Sequence, residues 1–332
     1  HFGYVLAGQV PIRAQGEGKV PVPGWTGTHE WIGYIPTEEL PAAFDPPRGL
    51  VVNANNRITD DNYQHSTALC GDWLSGYRAE RVQMLLKTQP HHDVESFARM
   101  QSDTQSLPGL ELARLFADLP LTDPLEIQAR DLLTAWDGNL HADSIGGTIY
   151  VLLRHHLTRR AYARIGELGE VQTGMGIFRG MPFGKMMDYR ALPGVLARIT
   201  ATGLHTPDDW LDAGQTWTTV LQESLTLAAE DLRRRLGKDP AQWRYGRMHS
   251  LTLRHALGSI PGLMAIFNRG PWATGGDADT ICMGYMSYDA LAPQTYVGPS
   301  YRHICVPGDW DASCSVYPGG QSGHPASRHY CD

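Results

Sequence analysis

Three asparagines lie within four positions of the stretch "NANNR", at Asn53, Asn55 and Asn56. The apolar residues before them, Leu50 to Val52, are typical of a buried strand, and asparagine is a poor strand former. A buried amide needs partners for up to four hydrogen bonds. The amides therefore either close local Asx turns or offer a donor to a ligand, and the residues alone favour the turns.

Two aspartates near the end of the sequence raise a different chemistry. Asp309 and Asp311 in "GDWDAS" would share one face of a strand, a spacing that could serve glycoside hydrolysis, with Trp310 and Trp31 as sugar platforms. Aspartates beside glycine are more often turn formers. Ser322 in "GGQSGH" only partly matches the GxSxG motif, and its β-rich context argues against a nucleophile.

Histidine is plentiful, with 14 residues, but its spacing does not suit a zinc site. His91–Asp93 reads as a turn in which the aspartate caps a helix. His155–His156 are adjacent on a helix and face different directions. His324, His329 and Cys331 lack a second cluster that would complete four ligands. We therefore predict structural or surface roles for these residues.

The five cysteines form no CxxC pair, and their odd count leaves at least one unpaired within this chain. Cys282, Cys305 and Cys314 lie in strand-like segments, where buried thiols are common. Cysteine usage leaves the redox compartment undecided.

Composition excludes two classes of partner. A net charge of −7 without Lys/Arg clusters argues against nucleic acid. The run Arg233–Arg235 closes a helical pattern, where cations suit the helix dipole. No apolar run approaches the roughly 20 residues that span a bilayer, so we expect no membrane insertion.

The pattern of the chain changes twice. Residues 1–60 carry short strand signals between Gly- and Pro-rich turns, a helical middle covers about 77–242, and short β segments follow. Within the middle, Thr206–Asp209 reads as a helix cap and Gly237 as a helix end. Strands at both ends of a helical middle predict an α+β layered fold.

Six separated stretches together carry a family resemblance. In order they are 22–57 with "VPGWTGTHEW…NANNR", 76–86 "GYRAERVQMLL", 135–138 "AWDG", 243–249 "WRYGRMH", 267–280 "FNRGPWATGGDADT" and 308–330 "GDWDASCSVYPGGQSGHPASRHY". In this order and spacing they closely resemble the large (β) subunit of the penicillin acylases. That family of N-terminal-nucleophile amidohydrolases includes acyl-homoserine-lactone and lipopeptide acylases.

The resemblance implies a four-layer αββα fold and hydrolysis of a linear amide through an acyl-enzyme. The nucleophile would be the N-terminal serine of the mature large subunit, and residue 1 here is histidine. We therefore expect 1–332 to be part of a large subunit whose nucleophile segment, and the small subunit from the same precursor, lie outside it. The family is usually periplasmic or extracellular and needs no cofactor. The alternatives are the glycoside hydrolase and a non-catalytic member of the same fold.

The resemblance also gives individual residues roles. Asn55 matches the asparagine that stabilises the oxyanion, which leaves Asn53 and Asn56 as turn residues. Arg78 matches an arginine that supports the site. Asp279 in "GGDADT" matches a position near the catalytic centre, where Asp277 is either its turn partner or the functional residue.

Calcium is the metal that the resemblance raises, because some members hold a structural Ca²⁺. The region after the asparagines offers Ser66, Thr67 and Asp72. Hard cations need oxygen ligands in number, and this set is thin. A structural calcium therefore stays possible but unsupported by these residues, and we assign no metal ligand in this chain.

Overall fold

In a computed structural model the chain forms two compact units, His1–Gln83 and Met84–Asp332. The structure describes residues 1–18, 20–69, 73–165, 191–286 and 294–331. Helices and strands are mixed, as the sequence predicts, and among the described residues every helix of eight or more residues lies between Tyr77 and Leu236. No described helix has the length and apolar character needed to cross a bilayer.

The first unit is built from short elements. Two antiparallel pairs join its strands, β1 with β4 and β2 with β3. Gly3 permits the first pairing, because a Cβ there would lie 2.3 Å from the carbonyl oxygen of Ala43. The elements are β1 Gly3–Val5, β2 Pro11–Arg13, β3 Trp31–Tyr34, β4 Ala42–Phe44, α1 Ser66–Leu69 and α2 Tyr77–Leu86.

The second unit contains longer helices and further strands. The helices are α3 Val94–Gln101, α4 Leu107–Arg114, α5 Pro124–Thr134, α6 Ile145–Ala161, α7 Ala191–Thr202, α8 Trp217–Leu236 and α9 Met264–Phe267. The strands are β5 Ser250–Leu253, β6 Arg269–Ala273, β7 Tyr285–Met286, β8 Gln294–Val297, β9 Arg302–Ile304 and β10 Cys314–Val316. A mixed sheet has the order β6-β5-β8-β7, and β9 pairs with β10.

Helix α6 is the centre of the hydrophobic core. Buried residues make up 13 of its 17 positions, so its apolar surface faces neighbours on all sides rather than forming a stripe. It packs against α4, α5, α7 and α8. Gly146 allows the close approach of Trp136, since a Cβ there would lie 2.4 Å from the Cβ of that tryptophan. The core therefore encloses the polar side chains of Tyr150 and Arg154 on α6.

Local capping chemistry sets several helix ends, and those at Asp93 and Gly237 lie where the sequence predicts them. Asp93 caps α3 and forms a capping box with Ser96. Asp123 caps α5 ahead of Pro124 at the first helical position. Gly237, with a φ of 91°, ends α8, whose last turn carries Arg233–Arg235.

The helix cap predicted at Thr206–Asp209 is wrong. Helix α8 begins later, and Thr216 is its cap. The carboxylate of Asp208 is instead buried, where it accepts hydrogen bonds from Arg198 Nε at 2.9 Å and from Trp217 Nε1 at 2.9 Å. These partners hold the pKa of Asp208 well below its usual range, against the effect of burial. A tertiary contact has taken the side chain that a local cap would use.

Candidate functional site

The turn at Asn53–Arg57, called here the asparagine turn, lies in the first unit between β4 and α1. The run before it does not form the predicted buried strand: Leu50–Val52 has no strand pairing, and Val51 is 41% exposed. The backbone pairs here through an isolated parallel bridge between Asn56 and Leu74. Without a continuous ladder, the apolar run stays near the surface.

Two of the three asparagines bind the backbone of the turn, as the sequence predicts. The Oδ1 atom of Asn53 accepts the backbone N–H of Asn55 at 3.1 Å, which closes an Asx turn. The Oδ1 atom of Asn56 accepts the N–H of Ala54 at 3.0 Å, and its Nδ2 donates to the carbonyl of Arg57 at 2.9 Å. Their amides therefore shape the backbone on both sides of Asn55.

Asn55 itself has a left-handed backbone, with a φ of 63°. Few residues other than glycine adopt this conformation, and asparagine is among the tolerant ones. Its carbonyl accepts the N–H of Leu74 at 3.0 Å. Its side chain leaves the turn and meets Arg78 on α2, so the third amide has a partner outside the turn.

Arg78 fixes which way the Asn55 amide faces. Its Nη2 atom donates to Asn55 Oδ1 at 2.9 Å and to the carbonyl of Ala54 at 2.7 Å. Arginine has no acceptor, so the oxygen of the amide must face the guanidinium and the Nδ2 group must face away. Within the described residues no acceptor contacts that Nδ2. The site therefore offers an exposed N–H donor beside a fixed cation, an arrangement that stabilises an anion.

Asp279 lies in the second unit, in a buried cluster formed by Tyr150, Arg154, Asp277 and Asp279, called here the Arg154 cluster. The Nη1 atom of Arg154 donates to Asp279 Oδ2 at 2.7 Å, to Asp277 Oδ2 at 3.3 Å and to Tyr150 Oη at 3.0 Å. Asp279 is 2% exposed and Arg154 is 3% exposed. The carboxylates thus tie the loop after β6 to the core helix α6.

The Arg154 cluster holds one cation for two carboxylates. Burial and the charge of Asp279 together raise the pKa of Asp277 to about 6, although Arg154 opposes both. Burial also raises the pKa of the Tyr150 hydroxyl well above its usual range. The sequence carries one signal of this cluster, a tyrosine and an arginine that are four residues apart and separated by three apolar residues on α6.

The carboxylate pair predicted for glycoside hydrolysis is not on a strand. Asp309 precedes a single 3₁₀ turn, Trp310–Ala312, which contains Asp311. The turn is closed by backbone hydrogen bonds such as that from Ala312 N–H to the carbonyl of Asp309 at 3.2 Å. Both aspartates are exposed, and Trp310 is 68% exposed. Turn formation explains these residues.

Ser322 does not occupy a nucleophile elbow. Its N–H donates to the carbonyl of His329 at 2.8 Å, and its Oγ accepts the N–H of His324 at 3.1 Å. A 3₁₀ turn at Arg328–Tyr330 follows, where a strand–turn–helix motif would require an α-helix.

Among the described residues no group of three His, Cys, Asp or Glu could hold a metal ion. His156 Nε2 lies 3.0 Å from Asp231 Oδ2, and burial lowers the pKa of His155 to about 2. Ser66 and Thr67 of the calcium prediction lie in α1. Asp72 lies outside the described residues.

The cysteine segments differ from the expectation of buried thiols. Cys314 is in β10 and Cys305 directly follows β9, yet both are exposed, and Cys282 is half-buried in a loop. All three carry free thiols. Short strand pairs with open faces bury less than a continuous sheet, which explains the exposure.

Comparisons with known proteins agree with one another. The family model described as Penicillin amidase matches residues 1–332. The penicillin acylase 2 proenzyme of Pseudomonas sp. (strain SE83) is 35% identical over 334 residues, which are 100% of this chain and 41% of that protein. The acyl-homoserine lactone acylase QuiP of Pseudomonas aeruginosa is 28% identical over 365 residues, with the same shares of 100% and 41%. This chain thus spans about two fifths of the length of these relatives.

A solved structure shows the same fold. Thermostable penicillin G acylase from Alcaligenes faecalis matches with a TM-score of 0.62 and 19% identity, over 99% of this chain and 59% of that chain. The resemblance seen in the six sequence stretches is confirmed by the family match over all 332 residues. The chain belongs to the penicillin amidase family.

Proposed function

We propose that this chain is part of an acyl-amide hydrolase, which splits an acyl group from an amine-bearing nucleus. The observation that carries the proposal is the side chain of Asn55, whose donor faces away from Arg78 and is exposed. Two relatives are named for penicillin and for acyl-homoserine lactones, and both kinds of substrate contain a linear amide. The substrate class is accordingly an acyl amide of the penicillin, acyl-homoserine lactone or lipopeptide type.

Amide hydrolysis gives Asn55 a defined task. Attack on the amide carbonyl produces a tetrahedral intermediate whose oxygen becomes an anion, and preorganised N–H donors stabilise it. The Nδ2 group of Asn55 is such a donor, and its orientation is set before substrate arrives because Arg78 holds the amide oxygen. The guanidinium also adds positive potential near the developing charge. Arg78 is therefore a positioning residue for the Asn55 amide.

The remaining parts follow from family membership. The nucleophile would be the N-terminal serine of the mature large subunit, outside this chain, with its own α-amino group as the general base. A small subunit from the same precursor would complete a four-layer αββα fold. Amide hydrolysis by this nucleophile and base calls for no cofactor and no metal. A periplasmic or extracellular location suits the family.

Asp279 has a supporting role in this proposal. Its carboxylate is paired with the buried Arg154, which leaves it poorly placed to exchange a proton with a substrate. The short distance of 2.7 Å and the burial of both groups make the contact a structural one. We assign Asp279 to holding the loop after β6 on α6.

The test uses the full-length gene with an acyl-amide substrate panel. Mass and N-terminal sequencing of the product report maturation, and turnover is expressed per mole of processed enzyme. Asn55→Ala should lower kcat by about 100- to 1000-fold, since it removes one oxyanion donor. Asn62→Ala is the matched control, because Asn62 is an exposed asparagine of the same unit and should leave kcat unchanged.

Each outcome has a defined meaning. A processed chain that begins with Ser and loses activity on Asn55→Ala supports the hydrolase. One uncut chain without an N-terminal nucleophile would make this a non-catalytic member of the family. Full activity of the processed Asn55→Ala variant would remove Asn55 from the mechanism.

A further inference from the structure

Asn55 is held by a set of contacts that converge on its backbone. Asn53 Oδ1 accepts its N–H at 3.1 Å, and Leu74 N–H donates to its carbonyl at 3.0 Å. Asn56 Oδ1 accepts the N–H of Ala54 at 3.0 Å. Each polar backbone group of Asn55, and the N–H just before it, therefore has one partner. Two of those three partners are amide side chains of the same turn.

The conformation that these contacts hold is a costly one. A φ of 63° is unfavourable for a residue with a Cβ, and asparagine lowers that cost without removing it. The direction of the Cα–Cβ bond depends on this backbone, so a turn that relaxed to negative φ would turn the amide away from Arg78. The Nη2 atom of Arg78 also donates to the carbonyl of Ala54, so Arg78 and the two asparagine side chains hold the same turn.

We propose that Asn53 and Asn56 are positioning residues for the oxyanion donor: their Oδ1 atoms lock the backbone that aims the Asn55 amide. The inference rests on the proposed function, since it needs Asn55 to be the donor. It goes beyond the turn-forming role of both residues, because it predicts an effect on the catalytic step. Reacting groups misplaced by about 1 Å lose up to about 100-fold in rate.

The chemistry of the two side chains allows a sharp variant set. Asn53→Ala removes the acceptor, whereas Asn53→Asp keeps an oxygen at the same place, and the added charge is exposed and screened. Asn56→Ala and Asn56→Asp form the second pair. Asp60→Ala is the matched control, because Asp60 Oδ1 accepts the N–H of Asn62 at 3.0 Å in the same kind of local turn within the same unit.

The experiment measures kcat and KM of the mature full-length enzyme on one acyl amide, with each variant also made in the Asn55→Ala background. Asn53→Ala should lower kcat by about tenfold with an unchanged KM, Asn53→Asp should stay within about twofold, and Asp60→Ala should have no effect. In the Asn55→Ala background Asn53→Ala should lower kcat no further, because its effect passes through the missing amide. The same non-additivity is expected for Asn56→Ala.

Other results overturn the inference in recognisable ways. A tenfold loss that persists in the Asn55→Ala background, or one that Asn53→Asp does not rescue, means a general structural role. If Asn53→Ala does not mature, Asn53→Ser takes its place in the same cycle, since its hydroxyl accepts the same N–H more weakly. A large loss on Asn55→Ala with none on Asn53→Ala or Asn56→Ala defeats this inference alone. Full activity of Asn55→Ala defeats the proposed function.

Discussion

Replacement of Arg154 by methionine tests how the second unit is held together. Methionine keeps an unbranched side chain but removes the cation that Asp277 and Asp279 share. Breaking a buried ion pair from one side costs about 3–5 kcal/mol, because the remaining charge stays buried without a partner. Here both carboxylates lose the cation that they share. We expect the free energy of unfolding to fall by about 3–5 kcal/mol at neutral pH.

The loss of stability in the Arg154→Met variant should become smaller as the pH falls. Without the cation, burial and the charge of Asp279 raise the pKa of Asp277 further, so the folded variant binds a proton there more tightly than its unfolded chain does. The variant should therefore be less destabilised at pH 5 than at pH 7.5.

The assay is thermal and urea unfolding of the mature protein at both pH values. For a chain of this size, about 3–5 kcal/mol corresponds to a Tm decrease on the order of 10 °C. Arg159→Met is the matched control, since Arg159 lies on the same helix and is exposed, and its Tm should not move by more than a degree or two. A loss below about 1 kcal/mol for Arg154→Met, or a loss that grows as the pH falls, would refute the reasoning.

Three further predictions concern carboxylates. The pKa of Asp277, raised to about 6, makes the folded state lose about 3 kcal/mol of stability as the pH rises from about 4 to 6, so Asp277→Asn should flatten the plot of Tm against pH in that window. Asp208→Ala should lower the unfolding free energy by about 3 kcal/mol in urea titrations, because Trp217 Nε1 loses its buried acceptor; wild-type stability would contradict this. Asp309→Ala and Asp311→Ala should each leave amide hydrolysis within twofold of wild type in initial-rate assays, and a large loss would reopen the carboxylate-pair reading.

The sequence predicted best those features whose causes lie within a few residues. Asp93 and Gly237 are decided by capping chemistry in the adjacent turn, and both are where the pattern indicates. The same holds for Asn53 as a turn former. The position of Arg78 on α2 also follows from helical spacing, and the family resemblance gave it a supporting role at the site, but its contact with Asn55 spans 23 residues and was not predicted.

Contacts between distant segments escaped prediction for a physical reason. Arg154 is 123 residues from Asp277 and 125 from Asp279, and nothing local to either segment specifies the pairing. At Asp208 the sequence predicted a local contact that does not form, since the local pattern there is that of a helix cap. A buried site with Arg198 and Trp217 offers it stronger partners, and tertiary contacts outweigh a cap worth about 1 kcal/mol.

Three independent requirements at position 55 explain why that residue is an asparagine. The left-handed φ of 63° restricts the choice to glycine and a few short polar residues. The guanidinium of Arg78 needs an acceptor, which glycine lacks. The oxyanion role proposed for Asn55 needs a donor, and aspartate has none when ionised. Histidine has one donor and one acceptor only while it is neutral, so its function would change with pH. Asparagine satisfies all three at every working pH, because its carbonyl and its NH₂ group face opposite partners on one rigid plane.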